Sequence, residues 1–364
     1  MGSNDSLKNT YFVIMAGGIG SRFWPASRKS LPKQFLDILG TGRSLIQMTY
    51  DRIRPLVPPS RILVLTHERY RDLVRDQLDD LPQENVLVEP CRQNTGPCVA
   101  YVSFHLDALN PEANMVILPA DHLITKEEYF RETLQYALDY VAVHPDILTL
   151  GMAPHRPDTG YGYIQLGENT GVQAIHKVES FREKPDLEKA KQYLSDGGFV
   201  WNAGIFISKV STMQDAFETH APDIFNILNV RDVYGTQEEK SFILENYPMT
   251  PSISVDYAIM EKAKNVVCMV VDIGWSDIGT WKSLYELRRG DEEGIVINTD
   301  AENWDIAASD SLMIHSSGDK KIIIRGLHNM LIVDQEDILM IWPLDEEQEI
   351  KNVQAGLGPG WKLE

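Results

Sequence analysis

Tyr11-Phe12-Val13-Ile14-Met15-Ala16-Gly17-Gly18-Ile19-Gly20-Ser21-Arg22 is an apolar run that delivers a glycine-rich loop, and it decides how the rest of the chain reads. Five uninterrupted apolar residues make a buried strand of the kind found in parallel sheets. The glycines have no Cβ, so backbone N–H groups can approach a polyphosphate closely. Four cations follow, Arg22, Arg28, Lys29 and Lys33, and of these Arg22 and Lys33 suit phosphate charge. A tight strand-to-helix turn among ordinary surface cations fits the glycines equally well. The cations and the more distant motifs tip the reading toward phosphate. Two familiar phosphate loops are missing. G-x-G-x-x-G started from Gly18 needs glycine where Phe23 stands, and no G-x-x-x-x-G-K-[ST] occurs. A nicotinamide dehydrogenase and a P-loop ATPase are therefore disfavoured at this site.

Outward from that loop, apolar runs at 61–65, 85–88, 115–118 and 147–150 repeat the buried-strand pattern. Between them lie helical periodicities: Ser44 caps one presenting Leu45, Met48 and Ile53, and Thr66 another presenting Tyr70, Leu73, Val74 and Leu78. Alternating strand and helix predicts a doubly wound α/β sheet with right-handed crossovers. Ligands of such sheets bind beyond the carboxyl ends of the strands, where the Gly17–Arg22 loop lies. From 151 to 290 the pattern is mixed, with short strands at 162–165 and 204–207. From 295 onward five strand-like runs, 295–298, 312–315, 321–325, 330–333 and 338–342, read as a small all-β module. The turn spacing there also allows short β-helix coils.

A length of 364 residues suggests two domains, or one large domain with an appendage. At 43% hydrophobic and 24% charged residues the chain is expected to pack as a globule. No apolar run approaches the ~20 residues of a membrane helix. Cys91, Cys98 and Cys268 have no metal spacing and no disulfide pattern, which suits a reducing cytoplasm. The net charge of -19 disfavours nucleic acid and anionic membrane as partners. Yet residues 1–60 hold eight Lys or Arg against three acids. A basic zone in an acidic chain suits a small polyanion.

Further motifs carry chemistry. Asp121 in Pro119-Ala120-Asp121-His122 stands just past a strand, where a carboxylate can bind Mg²⁺ or cap a helix. Asp277, in the glycine-flanked loop 274–281, offers a second carboxylate. Gly162 can admit a ligand to the backbone, Glu183 can accept from sugar hydroxyls, Lys184 can bind phosphate, and Asn202 can donate and accept. Each also reads as something plainer: a turn glycine, a solvated ion pair ahead of a proline, an edge asparagine. Ser254–Glu261 reads as a capped helix start, with Asp256 in its first turn. Cys91 and Cys98 read as small residues beside a loop rather than as nucleophiles.

In register, Gly17–Gln34, 44–47, Glu89-Pro90 with Asn94-Thr95, 119–122, 160–164, 181–185, 201–206, 254–261 and 274–281 resemble the mannose-1-phosphate guanylyltransferases (GDP-mannose pyrophosphorylases) of the sugar-nucleotidyltransferase superfamily. Residues 10–290 match closely and the β tail, to about 353, more loosely. The resemblance implies a Rossmann-like doubly wound mixed sheet, the nucleotidyltransferase fold, over 1–290. It implies a small C-terminal β-helix-like module over 291–364. Many bacterial relatives add a cupin-type isomerase domain; none is expected in this chain, nor its isomerase activity. Gln93 departs from a common arginine, and Pro97-Cys98 from common small residues, which bears on the shape of the nucleotide pocket.

The implied substrates are GTP and mannose 1-phosphate, with Mg²⁺ as cofactor. The sugar phosphate is itself the nucleophile, so the protein's task is positioning and charge neutralisation. By resemblance Ala16, Gly17, Gly18, Gly20, Ser21, Asn94 and Thr95 bind the nucleotide. Arg22 and Lys33 stabilise the leaving pyrophosphate, and Asp121 and Asp277 hold the metal. Gly162, Glu183, Lys184, Asn202 and Asp256 bind the sugar phosphate. Alternatives stay open: another sugar 1-phosphate such as a heptose or glucose, or a silent nucleotide-sugar-binding regulator, which ought to have lost one of Arg22, Lys33, Asp121 or Asp277. The apolar stretch 338–342 leaves a homodimer possible.

Overall fold

The computed structural model describes residues 6–18, 20–172, 174–289, 294–299, 304–317 and 320–358, with the backbone alone at Ser21 and Ala355. Strands run in chain order β1 (Thr10–Met15), β2 (Ile62–His67), β3 (Val86–Glu89), β4 (Asn114–Pro119), β5 (Leu123–Ile124), β6 (Ile147–Met152), β7 (Tyr163–Asn169), β8 (Ile175–Arg182), β9 (Phe199–Lys209) and β10 (Val266–Val270). The helices among them are α1 (Leu45–Ile53), α2 (Arg71–Gln77), α3 (Thr95–Leu109), α4 (Glu127–Val143), α5 (Leu187–Asp196), α6 (Val210–His220), α7 (Pro222–Leu228) and α8 (Glu239–Asn246). The chain forms two compact units that interleave in sequence. The first gathers Met1–Gly17, Thr49–Ala120 and Ile124–Trp275; the second gathers Gly18–Met48, Asp121–Leu123 and Ser276–Glu364.

A nine-stranded mixed sheet, ordered β3-β2-β1-β4-β9-β6-β10-β8-β7, carries the first unit. β1 lies parallel to β2 and β4, with Phe12 opposite Ile62 and Tyr11 opposite Met115. β9 runs antiparallel between β4 and β6. The continuous apolar runs of β2, β4 and β6 are buried, as is the centre of β1, Phe12–Ile14, as in a sheet covered on both faces. Val13, Met115 and Ile117 share one core with Val99, Phe104 and Phe217. One local expectation is corrected and one of the plainer alternatives is excluded. Thr66 does not cap a helix: it sits within β2, its hydroxyl donating to the Ala16 carbonyl at 2.9 Å, and the Nδ1 of His67 accepts the Arg69 N–H instead. Asn202 is not an edge residue. The expected short strand is the middle of the eleven-residue β9, flanked on both sides.

After β11 (Trp275–Ser276), the second unit holds α9 (Trp281–Arg288), β12 (Ile295–Thr299), β13 (Trp304–Ala307), β14 (Asp310–Ser316), β15 (Ile322–Arg325), β16 (His328–Asp334), β17 (Leu339–Pro343) and α10 (Ile350–Gly356). β12, β14 and β16 pair in parallel, with β17 antiparallel at the end, while β13 and β15 form a separate parallel pair. β13 escaped the sequence reading because the pair Trp304-Asp305 that opens it is exposed and shows no apolar alternation. One face of the larger sheet, Met313, Leu331 and Val333, packs in a core with Phe23, Trp24 and Trp281. The other, Leu312, Ile314 and Ile332, meets Ile306 and Ile324. The basic segment is thereby anchored on the β module. Trp281 Nε1 donates to the Trp24 carbonyl at 3.3 Å, Asn298 Nδ2 to the Ile38 carbonyl at 2.8 Å, and Arg28 pairs with Asp337.

Candidate active site

In the second unit the cations and carboxylates read from the sequence come together. A short helical turn over Lys33–Phe35 buries Lys33, 3% exposed. Its ammonium donates to the Asp121 carbonyl at 3.1 Å, to Asp121 Oδ2 at 3.1 Å and to the Asp277 carbonyl at 2.7 Å. An ammonium has three protons, and all three are engaged. The Phe23 ring lies 5.5 Å from the same nitrogen. Burial pushes the Asp121 carboxyl up, but the charges of Lys33 and His122 outweigh it and hold the group below the ordinary carboxylate range. Asp121 follows β4 in a turn and no helix starts there, so it is not a helix cap.

The loop opposite it is strained. Ile278 takes φ +40, which a β-branched side chain rarely adopts, and its side chain is fully buried in the core around Trp281. The Gly279 N–H donates to Asp277 Oδ1 at 3.0 Å, and Thr280 then caps α9 in a capping box with Ser283. A Cβ built on Gly279 would lie 3.0 Å from Arg22 Nη1 and 2.7 Å from Asp277 Oδ2, so the glycine leaves room for both groups. Gly20, at φ +64, admits no Cβ because it would overlap that of Lys33. Gln34 Nε2 holds the Gly18 carbonyl at 2.9 Å. Arg22 is exposed. Ile19 and the side chain of Ser21 lie outside the described residues.

The first unit holds two further groups. Gly162 carries no side chain because a Cβ would stand 2.6 Å from Glu183 Oε2. Glu183 pairs with the Lys184 ammonium, and its backbone N–H donates to Glu261 Oε1 at 3.2 Å. Asn202 is fixed on every side. Its Oδ1 accepts from Thr149 Oγ1 and the Gly204 N–H, each at 3.0 Å, and its Nδ2 donates to Asp256 Oδ1 at 3.1 Å. Asp256 begins a π-helical turn, Asp256–Met260, rather than the expected α-helix; such turns recur at functional sites. Burial, then the Glu183 charge, pushes its carboxyl up to about 7.

The other group surrounds Gly17. The Ala16 N–H donates to the Leu65 carbonyl at 2.8 Å. Asn94, at φ +67, caps α3, and Thr95 Oγ1 accepts the Val255 N–H at 3.0 Å. Between them Glu89 is buried, its Oε1 3.4 Å from where a Gly17 Cβ would stand. Cys98 Sγ and the Tyr247 hydroxyl both donate to Glu89 at 2.9 Å. Burial raises both the Glu89 carboxyl and the Cys98 thiol, so Cys98 is no nucleophile. Gln93 turns away to donate to the Pro248 carbonyl at 2.9 Å. Sequence reasoning gave no role to Glu89, Thr149 or Glu261. Glu89 had a signal in the Glu-Pro pair, and Glu261 in the segment Ser254–Glu261.

The donor chemistry fits a hard cation shared with phosphate. Among the described residues no three His, Cys, Asp or Glu side chains gather as a metal cage. Lys33 holds the Asp121 carboxylate and the Asp277 main chain, so the two residues offer two carboxylates, and Mg²⁺ takes one or two carboxylates plus substrate phosphate oxygens.

Comparison with known proteins adds the following. A family model described as nucleotidyl transferase matches residues 11–294. The chain is 35% identical to mannose-1-phosphate guanylyltransferase 2 of Escherichia coli O157:H7 over 357 residues, which is 94% of this chain and 72% of that protein. It is 34% identical to the mannose-1-phosphate guanylyltransferase of Klebsiella pneumoniae, over 93% of this chain and 72% of that one. A crystal structure from Thermus thermophilus, described as a mannose-1-phosphate geranyltransferase, is 32% identical with a TM-score of 0.83, covering 95% of this chain and 98% of that one.

Proposed function

Since the chain belongs to the nucleotidyl transferase family and is a sugar-phosphate nucleotidyltransferase, we propose that it transfers GMP from GTP to α-D-mannose 1-phosphate, giving GDP-mannose and pyrophosphate. One observation carries this reading: a buried ammonium, Lys33, that holds the carboxylate residues Asp121 and Asp277 together behind an exposed arginine, Arg22. That is machinery for a reaction whose nucleophile is supplied by the substrate and whose difficulty is charge.

In this proposal the backbone of Ala16, Gly17, Gly18, Gly20 and Ser21 receives the triphosphate, and Asn94 and Thr95 shape the nucleotide pocket. Arg22, exposed and long enough to follow a ligand, stabilises the departing pyrophosphate. Lys33 offsets the charge of Asp121 and keeps both loops in place. Asp121 and Asp277 would hold Mg²⁺. When bound, that cation supplies Lewis-acid polarisation of phosphoryl oxygens. Glu183 and Asn202 orient the sugar, Gly162 leaves space for it, Asp256 fixes Asn202, and Lys184 turns from Glu183 toward the sugar phosphate.

We assign nucleotidyl transfer to 1–290 and a packing role to 291–364. The parallel registers of the latter, Ile295 opposite Leu312, Trp304 opposite Ile322 and Leu312 opposite Met330, repeat every 17 or 18 residues and support a β-helix-like reading. Three free cysteines suit the cytoplasm. A homodimer belongs to the proposal too; nucleic acid and membrane do not.

The test is pyrophosphate release with Mg²⁺, GTP and mannose 1-phosphate, against wells with ATP or UTP, with glucose 1-phosphate, or without sugar. Release that needs both GTP and mannose 1-phosphate supports the proposal. Release with another pair keeps the mechanism and replaces the substrate, and none with any pair overturns it.

A further inference from the structure

Thr149 is the one polar side chain of the apolar strand β6, Ile147–Met152, and it is fully buried between β9 and β10. Valine has the same shape and no hydroxyl to desolvate, so a hydroxyl at such a position is costly unless it is bonded. Among the described residues it makes one hydrogen bond, to Asn202 Oδ1 at 3.0 Å.

That contact depends on a bulge. β6 pairs with β9 so that Thr149 lies opposite Phe206 and Gly151 opposite Asn202. Residues 203–205 of β9 therefore face the single residue Leu150 of β6, and Gly204 takes φ +65 within the bulge. An unbroken register from Thr149 and Phe206 would carry Asn202 to Ala153, beyond the end of β6. The bulge draws it back two positions, onto the face that Thr149 shares with Gly151, where it is the diagonal neighbour of Thr149. Bulges beside sites re-aim side chains in this way.

The partners of the amide fix its direction. A backbone N–H only donates, so the atom that faces Gly204 at 3.0 Å is the oxygen. Thr149 supplies that oxygen with a second donor, and both of its lone pairs are then occupied. An amide nitrogen does not accept, so Nδ2 donates to Asp256 Oδ1 whether or not that carboxyl carries a proton. One Nδ2 proton remains, on a half-buried side chain whose backbone N–H is held by the Gly162 carbonyl at 2.8 Å. With the Gly204 N–H alone, the amide could pivot about a single bond.

We propose that Thr149 is a positioning residue: its hydroxyl locks the Asn202 amide with the nitrogen toward the substrate, so that Asn202 meets the sugar as a donor only. Being fully buried, Thr149 touches no ligand and acts through Asn202. The inference rests on the assignment of Asn202 to the sugar phosphate in the proposed function.

The test compares Thr149→Val, which keeps the shape and loses the hydroxyl, with Thr149→Ser, which keeps the hydroxyl and loses the methyl group. KM is read in the pyrophosphate-release assay for GTP and for whichever sugar 1-phosphate the wild type uses. Thr149→Val should raise KM for the sugar phosphate about tenfold, the worth of one hydrogen bond, and leave KM for GTP within about twofold. Thr149→Ser should stay within about threefold of wild type for both substrates, because the bond is kept. A packing role predicts the reverse order. Wild-type kinetics in Thr149→Val overturn the proposal, as does a Thr149→Ser enzyme equally impaired, or an equal rise in KM for both substrates. If the wild type turns over no sugar phosphate, the proposed function fails, and a double-mutant cycle of Thr149→Val and Asn202→Ala in urea unfolding decides separately. Non-additive midpoints would uphold the lock on the amide and put the fault with the assigned reaction. Additive midpoints would overturn the lock.

Discussion

The Lys33 ammonium lies 3.1 Å from the Asp121 carboxylate, and it is the only cation drawn so deeply into the second unit's cluster among the described residues. Removing it leaves an acid beside a buried gap. Lys33→Ala should lower kcat for pyrophosphate release by ~10²-fold or more, by analogy with lost transition-state donors. An unchanged kcat would remove Lys33 from the chemistry.

Because the Lys33 charge holds Asp121 low, the pair has a signed effect on stability. The folded carboxyl ionises more readily than the unfolded one. Its contribution is therefore present above the ordinary carboxylate range and lost as pH falls through the lowered folded value. In acid denaturation, Lys33→Ala should shift the midpoint to higher pH. Identical midpoints would show that the pair contributes nothing to the fold.

Gly20→Ala tests the loop from the other side. The new methyl group would overlap Lys33 Cβ and stand 3.2 Å from its backbone nitrogen, at a φ of +64 that disfavours any side chain. Both effects act on the residue that ties Asp121 to Asp277. A loss of about tenfold or more in kcat/KM is expected, with a stability cost of about 1 kcal/mol from the backbone alone. Wild-type kinetics would show that the loop relaxes without disturbing Lys33.

Asp256 runs opposite in sign to Asp121. With its carboxyl pushed up to about 7, the folded chain keeps a proton that the unfolded chain has already released. Stability therefore falls as pH rises from about 4 to about 7. Asp256→Asn cannot ionise, so the Tm difference between about pH 5 and about pH 8 should shrink. The pH dependence of KM for the sugar phosphate should flatten in step. A Tm difference as large as wild type would place the titration elsewhere.

Gly162→Ala should act on binding more than on turnover. Its Cβ would stand 2.6 Å from Glu183 Oε2, forcing that carboxylate aside while the rest of the first unit stays packed. KM for mannose 1-phosphate is expected to rise about tenfold, roughly one misplaced hydrogen bond, with KM for GTP little changed. Equal rises for both substrates would mean that the change reaches beyond the sugar group.

By itself the sequence determined the parallel core of the first unit, because β1, β2, β4 and β6 are short apolar runs that only a doubly covered sheet can bury. It also determined the chemistry-bearing residue types, since glycine, arginine, lysine and aspartate keep their chemistry in any fold. What it could not show is which of them meet. Lys33, Asp121 and Asp277 are far apart in sequence, and only long-range packing around Trp281 and Phe23 gathers them and buries the lysine. Thr66 read as a cap because a hydroxyl before a helix has the same local signature whether it bonds forward along the chain or across to Ala16. For Asn202 the plainer alternative of an edge residue stayed open because β9 is flanked by strands distant in sequence. The strain at Ile278 and the raised carboxyl of Asp256 are likewise tertiary facts. Each depends on what surrounds a side chain, and the chain's order does not encode surroundings one residue at a time.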